Sequence, residues 1–170
     1  MFDPTPRGAA LVETMNQFLE EDVYPAESVF EEQVHALRSM GDSASTGQPA
    51  VLEDLKKKAR ELGLWNLFLP HAEPGHEPLS NLDFARVAEL AGRSLHLAPE
   101  AMNCSAPDTG NMELLSLFGT PDQKARWLQP LLDGEIRSAY VMTEPLVASS
   151  DAGNIETTVE RDGDEWVING

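Results

Sequence analysis

Residues 120–151 read TPDQKARWLQPLLDGEIRSAYVMTEPLVASSD, and within this stretch the chain changes character. Thr120-Pro121-Asp122-Gln123 forms a capping box. The threonine hydroxyl can accept from the third N–H of a helix, proline fills a first-turn slot that needs no donor, and glutamine can reach back. The helix so begun is expected to turn Trp127 and Leu128 toward a core and to end before Gly134. Past Gly134 the pattern is extended. Ile136–Met142 (IRSAYVM) alternates, and Ile155–Glu160 and Glu165–Ile168 read as two further strands. Arg161-Asp162-Gly163-Asp164 joins them as a hairpin loop, with glycine where positive φ is needed.

Upstream, the spacing is helical. Leu11, Met15, Phe18 and Leu19 share a face, and Val29, Phe30, Val34 and Leu37 continue it past Tyr24-Pro25, where a bend is expected. After a polar loop at Gly41–Gly47, Leu52, Leu55, Ala59 and Leu62 oppose Glu53, Lys56, Lys57 and Arg60 in a helix stopped by Gly63. Leu64–Leu69 (LWNLFL) reads as a buried loop, and Pro70–Pro78 is rich in breakers. Ser80 or Asn81 can cap a helix through Gly92 with Leu82, Val87, Leu90 and Ala91 inward, and Asp108 or Thr109 another ending near Gly119. The fold class is therefore α+β: a mostly all-α helical domain over residues 1–135, then the first strands of an incomplete β-domain over 136–170. Three strands are near the minimum for independent stability.

Composition narrows the function classes. The 170 residues include 41% apolar side chains and one cysteine, Cys104, so a core forms without disulfides and a disulfide-built scaffold is excluded. Net charge is −17, which opposes binding to nucleic acid, yet backbone N–H groups can still hold an anionic ligand locally. Acids crowd the two ends: eight against one base in residues 1–34, and six against one in 151–170. No apolar run approaches the length of a membrane span, and Met1–Thr14 lacks the features of a secretory or transit leader, so a cytoplasmic location is expected. The basic run Lys56, Lys57, Lys58 and Arg60 reads as a solvated helix face. His71 and His76, beside Glu73 and Glu77, have no supporting ligand cluster, so no metal site is expected. Cys104 reads as a small buried thiol.

Tyr140–Asp151 combines an extended segment, a Thr-Glu-Pro turn and adjacent serines. Such a row of backbone donors and hydroxyls suits a polar heterocycle and a diphosphate, whereas an ordinary corner would spend Thr143, Ser149 and Ser150 on local backbone groups. Tyr140-Val141-Met142-Thr143-Glu144-Pro145 followed by Ala148-Ser149-Ser150-Asp151 resembles the flavin-binding signature of the acyl-CoA dehydrogenase family. The stretches Asn103–Met112, Gln123–Gly134 and Asp164–Gly170 resemble the same family in order. Pro107–Asn111 and the Ser-Ser-Asp form of the turn resemble its branch sometimes fused to phosphotransferase-like domains.

The resemblance implies a helical N-terminal domain, a middle β-domain, and a C-terminal helical bundle that this chain lacks. It also implies FAD as cofactor. Tyr140 and Met142 would lie along the isoalloxazine, Thr143 would bond its pyrimidine edge, and Ser149 and Ser150 would reach the diphosphate, with Ser150 also touching the pantetheine of acyl-CoA. Leu146 departs from the small or acidic residue often found there. The implied reaction is α,β-dehydrogenation of an acyl-CoA thioester to a trans-2-enoyl-CoA, in fatty acid metabolism, with an electron-transfer flavoprotein or similar acceptor and a homodimeric or homotetrameric enzyme. The family's carboxylate base belongs to the C-terminal bundle, so no catalytic residue is expected in this chain, and Glu144 belongs to the flavin motif. The chain is expected to be inactive alone. The alternative is a non-catalytic or split subunit that binds a partner carrying the missing half.

Overall fold

The computed structural model describes residues 3–39, 47–71, 73 and 77–170. The chain forms two compact units, Met1–Ser138 and Ala139–Gly170. Most of the expected loop Gly41–Gly47, and His76, lie outside the described residues.

In the first unit, helix is continuous from Pro6 to Ser39: α1 (Pro6–Phe18), a wider π-turn over Leu19–Val23, and α2 (Tyr24–Ser39). At Tyr24-Pro25, where a bend is expected, the helix continues by way of that π-turn. Pro25 has no N–H and crowds the carbonyl four residues back, and the ladder relaxes so that the Tyr24 N–H bonds the Leu19 carbonyl. The same device recurs before Pro130. There, α7 (Pro121–Gln123) widens over Lys124–Leu128 before α8 (Gln129–Leu132), and the Gln129 N–H bonds the Lys124 carbonyl. Between these segments lie α3 (Ala50–Glu61), α4 (Asn81–Ala91), α5 (Ala98–Ala101) and α6 (Asp108–Phe118).

The main core gathers Met15, Phe18, Leu19, Val23, Leu52 and Leu64, among others, and a second cluster joins Leu69, Met112, Leu128, Leu131 and Leu132. The LWNLFL segment is thus a buried connector. Asn66 and Asn103 sit at φ 56° and 53°, a region asparagine tolerates. The Asn103 amide donates to Asn66 Oδ1 (2.7 Å) and to the Leu131 carbonyl (3.0 Å), and the Asn66 amide donates to the Leu132 carbonyl (2.9 Å). The loop is thereby fastened to the end of α8.

Caps follow the sequence at several points. Thr120 and Gln123 complete both bonds of the capping box, Ser80 caps α4, and Gly63 and Gly134 take φ of 71° and 68° past helix ends. Other expectations change. Leu82 is 43% exposed, and Asp83 occupies the inward position because Thr5 and Ser80 satisfy its carboxylate. Trp127 is 41% exposed rather than turned into the core, with the Arg126 guanidinium 4.9 Å from its ring centre. Lys56 is buried rather than solvated, its ammonium 2.7 Å from Glu53. Asp108 opens α6 without capping it. Its carboxylate instead accepts from Arg137 Nε (2.6 Å) and from the Ser138 amide (2.7 Å) and hydroxyl (2.6 Å).

That engagement helps explain why the strand expected at Ile136–Met142 does not form. The Ser138 amide is taken by Asp108, the Glu135 amide by the Pro130 carbonyl, and the segment is extended without a ladder. In the second unit the hairpin is β1 (Thr158–Asp162) against β2 (Glu165–Asn169), antiparallel, with Val159 opposite Ile168 and Arg161 opposite Trp166. The turn is shorter than the four residues expected, because Asp162 pairs with Glu165 and only Gly163 and Asp164 lie between. Gly163 has φ 61°, the conformation a two-residue turn with glycine first demands.

Candidate functional site

Within the second unit, Tyr140–Thr143 runs extended into the turn at Glu144–Asp151. Among the described residues, the backbone groups of Tyr140–Thr143 make no hydrogen bond, so the segment presents free donors and acceptors. Tyr140 is 71% exposed, Met142 half-buried, and Thr143 and Ser150 exposed. Ser149 differs from its neighbours. It is fully buried, its hydroxyl accepts the Glu144 N–H, and its own amide donates to the Val147 carbonyl (2.8 Å). Ser149 therefore faces the interior of the turn, and the Glu144–Ser149 bond brings Thr143 and Ser150 to the two sides of its neck.

The Glu144 carboxylate spans the loop. It accepts the Glu156 amide (3.0 Å), the Thr157 amide (2.8 Å) and the Thr157 hydroxyl. These donors, the Thr157 hydroxyl foremost, hold its carboxyl below the ordinary carboxylate value. With three donors in place it is an ionised anion that fastens the turn. Asp151 Oδ1 accepts the Gly153 amide (3.0 Å), and the Asn154 amide donates to the Ala148 carbonyl (3.3 Å). Glu144 and Thr157 are absent from the expected site residues. The signal that could have found the pair is an acid directly before proline, since a carboxylate in a turn seeks backbone N–H groups.

In the first unit, an open groove of about 1030 Å³ is lined by Phe30, Val34, Leu37, Leu52 and Leu97, among others. None of Tyr140, Met142, Thr143, Ser149 and Ser150 lines it. Desolvation pushes the Cys104 thiol up to about 12, so it stays protonated and non-nucleophilic at neutral pH. His71 Nε2 lies 3.9 Å from Glu113, on the exposed side of α6.

The profile of the family "Acyl-CoA dehydrogenase, N-terminal domain" matches residues 5–135. The chain is 54% identical over 156 residues to "Probable acyl-CoA dehydrogenase FadE2" of Mycobacterium tuberculosis, covering 92% of this chain and 36% of that protein. It is 47% identical over 170 residues to "Acyl-CoA dehydrogenase family member 11" of Mus musculus, covering 100% of this chain and 21% of that protein. A solved structure of a provisionally named acyl-CoA dehydrogenase from Mycobacterium abscessus superposes with TM-score 0.85 at 48% identity, over 99% of this chain and 42% of that one. The chain thus spans well under half the length of these relatives. With the helical unit matched by the family profile and the whole chain by a solved fold at high identity, the chain belongs to the acyl-CoA dehydrogenase family.

Proposed function

We propose that this chain supplies the helical domain and the flavin-contacting strand and turn of an FAD-dependent acyl-CoA dehydrogenase, which converts an acyl-CoA thioester to a trans-2-enoyl-CoA. The observation that carries this reading is the unpaired backbone of Tyr140–Thr143, which leads into a turn presenting the Thr143 and Ser150 hydroxyls to solvent. Free amides and hydroxyls in one short stretch fit two parts of FAD, a heterocycle with hydrogen-bonding edges and a diphosphate. Bound there, FAD supplies the acceptor for the hydride leaving the β carbon.

The chain's own residues bind and orient. Tyr140 and Met142 flank the ring system, and Thr143 donates to the edge where negative charge gathers, a fixed donor aimed at developing charge. Ser150 donates to the diphosphate and to the pantetheine arm, and Ser149 supports it from inside the turn. An electron-transfer flavoprotein or similar acceptor, a homodimeric or homotetrameric assembly and a cytoplasmic location complete the proposal.

The test is titration of the purified protein with FAD, followed by quenching of flavin fluorescence, then anaerobic addition of acyl-CoA esters to see whether bound flavin bleaches. Saturable binding is expected, weakened about fivefold by Thr143→Ala, since one hydrogen bond contributes about 1 kcal/mol and a tenfold change is about 1.4 kcal/mol. A protein that neither carries nor takes up flavin overturns the reading.

A further inference from the structure

We propose that Glu144 and Ser149 are positioning residues, a two-point clamp that sets the separation and direction of Thr143 and Ser150 at the flavin-contacting turn. The proposal rests on the flavin reading above and adds to it two residues that would act from behind the contact surface.

Sequence adjacency is the first observation. The clamp residues lie inside the presenting ones, Glu144 after Thr143 and Ser149 before Ser150. The bond from the Glu144 N–H to the Ser149 hydroxyl therefore ties the two exposed hydroxyls together through one covalent step on each side. Burial is the second. Ser149 is completely enclosed while Thr143 and Ser150 are exposed, so the turn separates an inward support from an outward surface. The third is reach. The Glu144 carboxylate holds the Glu156 and Thr157 amides, 12 and 13 residues along the chain, and closes the turn onto the segment entering β1. Charge-assisted bonds from a single carboxylate to three donors are short and directional, which suits a brace better than a solvated side chain. Contacts held by locked supporting groups keep a binding constellation within a fraction of an ångström, and small misplacement is costly.

The experiment compares wild type, Glu144→Ala, Glu144→Gln, Ser149→Ala and Thr157→Val in the full chain, with FAD as the probe. Hydrogen–deuterium exchange at Glu156 and Thr157 reports the clamp itself, and fluorescence titration reports flavin affinity. Glu144→Ala and Ser149→Ala are expected to speed exchange in residues 144–157, leave exchange in the helical unit unchanged, and weaken FAD at least tenfold. Glu144→Gln keeps one acceptor oxygen and is expected to fall between wild type and alanine. Thr157→Val removes only the hydroxyl donor, a milder lesion that loosens the clamp even if the alanine variants do not fold. Bound FAD in the weakened variants is expected to show absorption bands shifted toward those of free flavin.

Three outcomes separate the claims. Faster local exchange with weaker flavin binding supports the clamp as a positioning device. Wild-type flavin affinity in variants whose exchange has risen overturns it and leaves the flavin reading standing. A wild type that takes up no FAD overturns both the flavin reading and the purpose assigned here to the clamp, whatever the exchange shows.

Discussion

Asp83 receives hydroxyls from two helix caps at once. Thr5 caps α1 by accepting the Gly8 N–H, Ser80 caps α4 by accepting the Asp83 N–H, and both donate onward to the Asp83 carboxylate, at 2.8 and 2.9 Å. A carboxylate at the start of α4 also suits the positive end of the helix dipole. Gly8 permits the approach, because a Cβ there would stand 2.1 Å from Asp83 Oδ1. The Thr5 hydroxyl foremost, against the opposing effect of burial, lowers the Asp83 pKa below 3.8. A depressed carboxylate stabilises the fold fully above the unfolded value, and that contribution disappears as pH falls through the lower folded one. Urea midpoints measured across pH should therefore fall for wild type below about pH 3.8, and the difference from Asp83→Asn should shrink in that window. In sequence, Asp83 looks like the polar neighbour of Leu82, and periodicity places Leu82 inside. The clue it hides is Ser80 three residues earlier, a capping pair that competes for the buried slot. The candidate residues Thr143 and Ser150 stand out in the sequence because their motif is local. Ser149's burial was not, since it depends on a bond that only the closed turn creates.

At the level of elements, caps and stops were readable and side-chain phase was less so. The Thr120–Gln123 box is present in both directions, with the Thr120 amide 2.9 Å from Gln123 Oε1 and the Gln123 amide 3.3 Å from Thr120 Oγ1. Thr120→Ala is expected to cost about 1 kcal/mol and lower the thermal midpoint by about 2–4 °C, measured by circular dichroism at the helical band. Phase was harder because the π-turns before Pro25 and Pro130 each shift the ladder, moving which residues face inward by a step that a fixed period of 3.6 does not anticipate. The strand expected at Ile136–Met142 illustrates a different limit. Alternation reports a capacity to pair, but pairing needs a neighbour, and the backbone at Glu135 and Ser138 is already held by Pro130 and Asp108.

For the whole molecule, charge and exposed apolar surface pull in opposite directions. Val159, Trp166 and Ile168, at alternate positions across the hairpin, are 56%, 65% and 67% exposed, and α6 presents Leu114, Leu117 and Phe118 at 57%, 50% and 77%. Such patches favour association, while a net charge of −17 repels like molecules. Raising ionic strength from 0.01 to 0.15 M shortens the screening length from about 30 to about 8 Å. Sedimentation velocity is therefore expected to show growing self-association with salt, and insensitivity to salt would place control elsewhere than in this charge. The order of synthesis adds a consequence of the Asp83 junction. Thr5 and Asp83 are 78 residues apart, so α1 leaves the ribosome several seconds of elongation, at about 5–20 residues per second, before its anchor on α4 is made. Until then only the Gly8 N–H holds the Thr5 cap, and that end of the helix frays until α4 arrives to brace it.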